Sequence, residues 1–265
     1  MSFITFLRGH RHYPLILYPI IFDFISLFIG WYLIGFHGTD KISIRLILEM
    51  GLPSLGHISN IPIFTNMIDF LNVGVTIPSY TWIVVVTMII IGAFLQGGYI
   101  SYLYAIVRGN DFHFLEFLKA GKRNWMQFIF LEIIIFLAKF GLTAFLTLFF
   151  GIVGVAASLG FLFAFRVFFV YLEFTIVIDR ISVSTALKNS RIYFKKSLFM
   201  TLFLIIVMYI ISATLSYFLH LLWSPLTIIA FIFIYAYIMS IIQILFMDTL
   251  YKSKNNNRTK VIAAA

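Results

Sequence analysis

The sequence predicts an all-α polytopic membrane protein of six transmembrane helices with both termini on one side, and three observations carry the prediction. The 265 residues are 62% hydrophobic and only 11% charged, with mean hydropathy +1.03, whereas a soluble domain is typically about 25% charged. Six stretches reach the roughly 20 apolar residues that a hydrocarbon core requires: 14–34, 80–107, 125–150, 154–178, 197–219 and 225–248. All but four of the 19 Lys and Arg fall in segments 1–13, 108–124, 179–196 and 249–265. The exceptions are Lys41, Arg45, Lys139 and Arg166. The positive-inside rule therefore places both termini in the cytoplasm.

That placement also decides what the net charge of +9 means. The charges sit in short segments between apolar runs, which argues against a nucleic-acid partner and for anionic lipid head groups at the cytoplasmic face. The chain has no Cys, which removes disulfides, thiolate metal sites and Cys nucleophiles.

Taken in order, the N-terminal MSFITFLRGHRHYP lacks a small-residue cleavage site, so the first span reads as a retained signal anchor. Pro14 and Pro19 predict a late start or a kink. Aromatic belts agree with the orientation: Trp31, Tyr32, Tyr80, Trp82 and Trp223 stand at outer ends, and Tyr13, Trp125 and Tyr251 at inner ends. The outer loop 36–79 holds KISIRLILEM and IPIFTNMIDFLNV, apolar pieces too short to span, expected to lie along the outer interface or cap the bundle. Gly151 to Gly154 reads as a tight turn between the third and fourth spans, and the small residues around Ser158 as a close helix contact.

An offset of 69 residues aligns Tyr102-Leu103 with Tyr171-Leu172, Leu118-Lys119 with Leu187-Lys188, Lys122 with Arg191 and Phe130 with Phe199. A weaker third copy places Phe6-Leu7-Arg8 and Arg11 over Phe117-Leu118-Lys119 and Lys122. The unit this suggests is a basic amphipathic elbow followed by a helical hairpin, three times over. In the elbows FHFLEFLKAGKRNW and ISVSTALKNSRIYF, apolar residues recur at helical spacing. In the second, Ser182 or Ser184 is the expected N-cap, with Ala186, Leu187, Ile192 and Phe194 facing inward. The basic side chains Lys119, Lys122, Arg123, Lys188, Arg191, Lys195 and Lys196 are candidates to hold lipid head groups or to dock a partner such as a separate ATPase or another membrane subunit.

The run from Arg166 through Ala186-Leu187-Lys188-Asn189-Ser190-Arg191 to Lys195-Lys196 resembles a pattern in a loose superfamily of six-span bacterial membrane proteins. That group includes uncharacterised Gram-positive proteins and the membrane domains attached to some glycerophosphoryl diester phosphodiesterases. The resemblance implies the six-span fold and a bacterial plasma membrane. This sequence departs from the pattern in having Glu173 near the place of a usual Pro, and Ser197 where a Gly often follows the basic residues. No hydrolase segment occurs in these residues, so the phosphodiesterase activity is not expected here.

Five charged residues fall inside apolar spans: Asp23, Glu132, Lys139, Arg166 and Glu173. Each costs about 2.5–3.5 kcal/mol to insert, so together they form the candidate site. At about 1.5 Å per residue, Glu132 and Glu173 lie roughly 10 Å deep, Lys139 and Arg166 about 20 Å, and Asp23 between them. Seven residues nearly complete two turns, so Glu132 shares a face with Lys139, and Arg166 with Glu173. Gln96 and Gln243 add amide partners. Such a layer either satisfies itself structurally, or uses Lys139 and Arg166 to hold an anionic group while Glu132 and Glu173 share a proton.

His37, His57 and His220, with Asp40 and Asp69, lack metal-ligand spacing, and neither a metal nor a cofactor is expected. No Walker, G-x-G-x-x-G or G-x-S-x-G motif is present. The expectation is a non-enzymatic membrane protein that handles an amphiphilic peptide or lipid, as a permease-like subunit or self-protection factor. The alternative is a scaffold or assembly protein with no substrate. An intramembrane enzyme using Glu132 or Glu173 as acid or base ranks behind both.

Overall fold

A computed structural model describes residues 13–34, 48, 50–58 and 81–263. Most of the outer loop, including His37, Asp40, Asp69, Lys41 and Arg45, lies outside the described residues, as does the third repeat copy at Phe6 to Arg11. Within them the chain is all-helical, with no strand. The helices are α1 (Tyr13–Ile34), α2 (Thr81–Arg108), α3 (Phe114–Phe168), α4 (Leu172–Asp179), α5 (Val183–Lys196), α6 (Leu198–Leu221) and α7 (Pro225–Ala263), with one 3-10 turn at Leu55–His57. Five helical stretches are long and apolar enough to cross a membrane, namely Pro14–Tyr32, Ile83–Arg108, Phe114–Asp179, Leu198–Leu221 and Pro225–Asn255. This is consistent with a polytopic membrane protein.

The sequence expects six such stretches, and the difference lies at Gly151. There α3 leaves helical geometry (φ 56°, ψ −136°) without a loop. The Thr143 and Ser158 hydroxyls, fifteen residues apart, are 3.2 Å from each other, where a straight helix would separate them by roughly 22 Å. The 55-residue helix is therefore bent back on itself. A Cβ on Gly154 would stand 2.0 Å from the Leu146 carbonyl oxygen, so only glycine permits this crossing.

Helix α1 begins at Tyr13 and runs on through Pro19. Pro14 occupies its first turn, where the missing N–H has no intrahelical acceptor in any case, so the late start is not observed. At the end of α2, Gly109 adopts φ 76°. Its N–H reaches Ile106 O and that of Asn110 reaches Ala105 O, the paired bonds that close a helix on a left-handed residue.

Close approach of α2 and α3 rests on small residues. Cβ atoms on Gly98 and Gly121 would fall 2.7 Å from the Phe117 ring and 2.8 Å from the Phe94 oxygen. Phe117 also stacks on Tyr18 of α1 at 3.9 Å. Helix α7 packs on α1, α2, α5 and α6 and is the most buried span. Tyr99 donates to Ser240 at 2.9 Å, and Tyr171 shares a 2.7 Å hydrogen bond with Thr201, so each large buried ring keeps its hydroxyl satisfied.

The two elbows differ in construction. The first is continuous with its span inside α3, whereas α5 is separated from α6 by the bend at Ser197. Ser182 holds the N-cap position of α5, and the buried face is Val183, Ala186, Ser190 and Phe194. Ile192, expected inside, is 47% exposed. It stands two residues from Ser190, about 200° around the helix. Asp179 ties the elbow to α7 by accepting from Lys254, Tyr193 Oη (3.0 Å) and Asn189 Nδ2 (3.4 Å).

Candidate functional site

Four of the polar side chains singled out in the sequence sit at the middle of their apolar stretches. Asp23 is midway along Pro14–Tyr32, Gln96 along Ile83–Arg108, and Gln243 within three residues of the middle of Pro225–Asn255. Arg166 is about halfway between the bend at Gly151 and the end of α4. All four converge on one segment of the outer loop, residues 48–58, which begins in the apolar piece KISIRLILEM that the sequence expected along the outer interface or capping the bundle.

That segment is buried: Leu48, Met50, Gly51, Leu55 and Ile58 have almost no exposed surface. Non-helical backbone at this depth is tolerated only where protein groups satisfy its polar atoms. The Asp23 carboxylate accepts from Ser54 Oγ at 2.5 Å and from the Leu55 N–H at 2.8 Å. Gln243 accepts from the Gly51 N–H at 2.9 Å. Arg166 Nε donates to Leu48 O at 2.9 Å and Gln96 Nε2 to Met50 O at 3.5 Å. Nearer the far end of α6, Ser216 donates to Ile58 O at 2.9 Å. Gly51, at φ 105°, lies against the Gln96 amide, where a Cβ would be 2.8 Å away.

The charged layer is thereby divided. Asp23 is engaged by the buried segment 48–58 and does not bridge the acid and base levels as the sequence suggested. Arg166 serves both: one nitrogen holds Leu48 O and another forms an ion pair with Glu173. The pair does not lie on one continuous helix, because α3 ends at Phe168 and α4 begins at Leu172. The backbone between them tightens into short-range bonds, Val170 to Val167 and Leu172 to Phe169. Glu173 is 3% exposed and keeps its second carboxylate oxygen buried without a partner.

Glu132 and Lys139 remain. Glu132 lies within electrostatic range of Glu173, and Lys139 within range of Arg166. Both are exposed, and neither makes an ion pair among the described residues. They stand on the doubled helix, where the neighbouring Ile133, Ile134, Phe136, Leu137 and Phe140 are exposed as well.

No family model, curated protein or solved structure matches the chain.

Lys119, Lys122, Arg123, Lys188, Arg191, Lys195 and Lys196 are all exposed on the elbows. Lys196 also borders a cavity of about 220 Å³ with Met200, Leu245 and Lys252. Among the described residues no three His, Asp or Glu side chains converge as a metal site would need. The sequence reading missed the burial of residues 48–58. Its signal was Gly51-Leu52-Pro53-Ser54, a turn signature directly after an apolar piece too short to span.

Proposed function

We propose that this chain is a six-span protein of the bacterial plasma membrane with both termini cytoplasmic, the bent α3 counting as two crossings at Gly151. In this reading it is not an enzyme. It receives the polar group of an amphiphilic peptide or lipid at Lys139 and Glu132, as a permease-like subunit or self-protection factor working with a separate ATPase. The observation that carries the reading is a pair of exposed charges, unpaired among the described residues, within an apolar run of the doubled helix whose neighbouring side chains are exposed too. Charges at that depth ordinarily face a bundle interior and pair there. The Arg166–Glu173 pair beside them supplies a second cation within reach of an incoming anion, and the unpartnered Glu173 oxygen accepts a donor.

The second reading, a scaffold with no substrate, is favoured by one specific observation: Arg166 is already engaged by Leu48 O and Glu173, so half of the deep base layer serves the fold. Lys139→Gln is therefore the clean probe, and Arg166→Gln is expected to disturb the buried segment 48–58 as well. With the protein in vesicles, binding of a fluorescent lyso-phospholipid and of an amphipathic peptide with a free carboxylate should fall at least about five-fold in Lys139→Gln, the effect of losing roughly 1 kcal/mol. Unchanged binding in both Lys139→Gln and Glu132→Gln would leave the scaffold. Co-purification with an ATPase tests the partner.

A further inference from the structure

Beside the second elbow, residues 126–134 of α3 and the start of α5 line a groove of about 370 Å³. Its walls are apolar, with Phe130 and Ile134 on one side and Val183 and Leu187 on the other. Its mouth is basic. Arg123 continues the Gln127–Phe130–Ile134 stripe by one turn, since residues four apart share a helix face. Arg180 precedes Ser182 by two residues. Arg180 lies within electrostatic range of Arg123, and neither guanidinium is paired with an acid among the described residues. Asp179, the adjacent carboxylate, is occupied by Lys254, Tyr193 and Asn189.

Two neighbouring, unneutralised cations repel, and an anion between them removes that cost. Three hydroxyls stand at the same mouth, with Ser182 Oγ 3.2 Å from both Ser184 Oγ and Thr185 Oγ1. The first N–H groups of the 14-residue α5 add to the positive potential. One turn deeper, Gln127 keeps its amide oxygen buried without a partner at the groove wall, an acceptor for a hydroxyl donor.

We propose that this groove binds an anionic glycerophospholipid, with its phosphate between Arg123 and Arg180, a head-group or glycerol oxygen function at Ser182, Ser184 and Gln127, and one acyl chain over Phe130 and Ile134. A free phosphate would use the mouth alone and leave the apolar walls uncovered, which is why the ligand is a lipid. The cationic mouth is separate from Lys139, which lies sixteen residues, roughly 24 Å, beyond Arg123 along the helix.

Trp125 neighbours the groove and reports on it. With Trp31, Trp82 and Trp223 replaced by Phe it is the sole emitter of the full chain in vesicles. Its quenching by brominated phosphatidylglycerol is measured in competition with brominated phosphatidylcholine. The parent should prefer the anionic lipid on the order of 25-fold, about five-fold per arginine. Arg123→Gln and Arg180→Gln should each lose about five-fold of that, and Arg180→Lys should retain most of it. Arg180→Gly relieves the left-handed backbone at that position, so it should stay folded while losing the preference as Arg180→Gln does. An unchanged preference in Arg123→Gln and Arg180→Gln overturns the proposal. So does an equal drop in a Lys195→Gln, Lys196→Gln double variant, which would mean a diffuse surface potential.

Discussion

Replacing Asp23 by Ala tests the buried segment 48–58 directly. The substitution leaves the Leu55 N–H without its acceptor and takes the carboxylate from the Ser54 hydroxyl. Leu55 is fully buried and Ser54 is 1% exposed, so water cannot replace what is lost. An orphaned buried donor costs about 1–3 kcal/mol, and a hydrogen bond to a charged group contributes about 1.5–3. Removing a buried carboxylate returns part of its own desolvation cost, which puts the net loss at the bottom of that sum, about 2–3 kcal/mol. At 1.4 kcal/mol per decade, excursions of residues 48–58 out of the bundle should become roughly 30- to 150-fold more frequent. The chain has no native Cys, so a Leu55→Cys thiol is a unique reporter. Its alkylation by a membrane-impermeant maleimide should accelerate by that factor in Asp23→Ala, with Asp23→Asn between the two because its amide oxygen still accepts one bond. A labelling rate within three-fold of the Leu55→Cys parent would refute the assignment of Asp23 to this segment.

Other outcomes follow from the same contacts. Gln243→Leu removes the acceptor of the Gly51 N–H and should lower stability by about 1–3 kcal/mol, read as a lower unfolding midpoint in detergent, with Gln243→Glu recovering most of it. Cysteines at Thr143 and Ser158, whose hydroxyls are 3.2 Å apart, should cross-link readily. Adding Gly154→Ala, whose Cβ would meet Leu146 O at 2.0 Å, should abolish that cross-link by forcing the hairpin open. Burial first, and then the Asp179 carboxylate beside it, push the Tyr193 phenol well above its ordinary value. The unfolded chain therefore sheds this proton first, near pH 10, and stability falls as pH rises above that. Below it, Tyr193→Phe should cost about 1 kcal/mol and above it should lack the extra slope, measured as unfolding midpoints from pH 8 to 11.

The sequence by itself determined the class, because burying so much apolar surface in water-filled surroundings is impossible for 265 residues with so few charges. It determined the long helices as well, since apolar runs of about 20 residues leave no other way to satisfy the backbone. It also located the turn at Gly151 to Gly154 and the polar mid-span residues, which stand out because each is expensive where it is. What those residues bind was decided only in three dimensions. Asp23, Gln96, Arg166 and Gln243 are separated by up to 220 positions along the chain, and no periodicity within one helix says which face meets residues 48–58. A short apolar piece such as KISIRLILEM, followed by Gly51 and Pro53, reads equally well as an interfacial element or a cap. It becomes a buried segment because four helices present a donor or acceptor at one depth, so its peptide groups lose little on leaving water. The same packing left Glu132 and Lys139 unpaired on an exposed hairpin and set Arg123 beside Arg180, two juxtapositions on which the proposed sites rest.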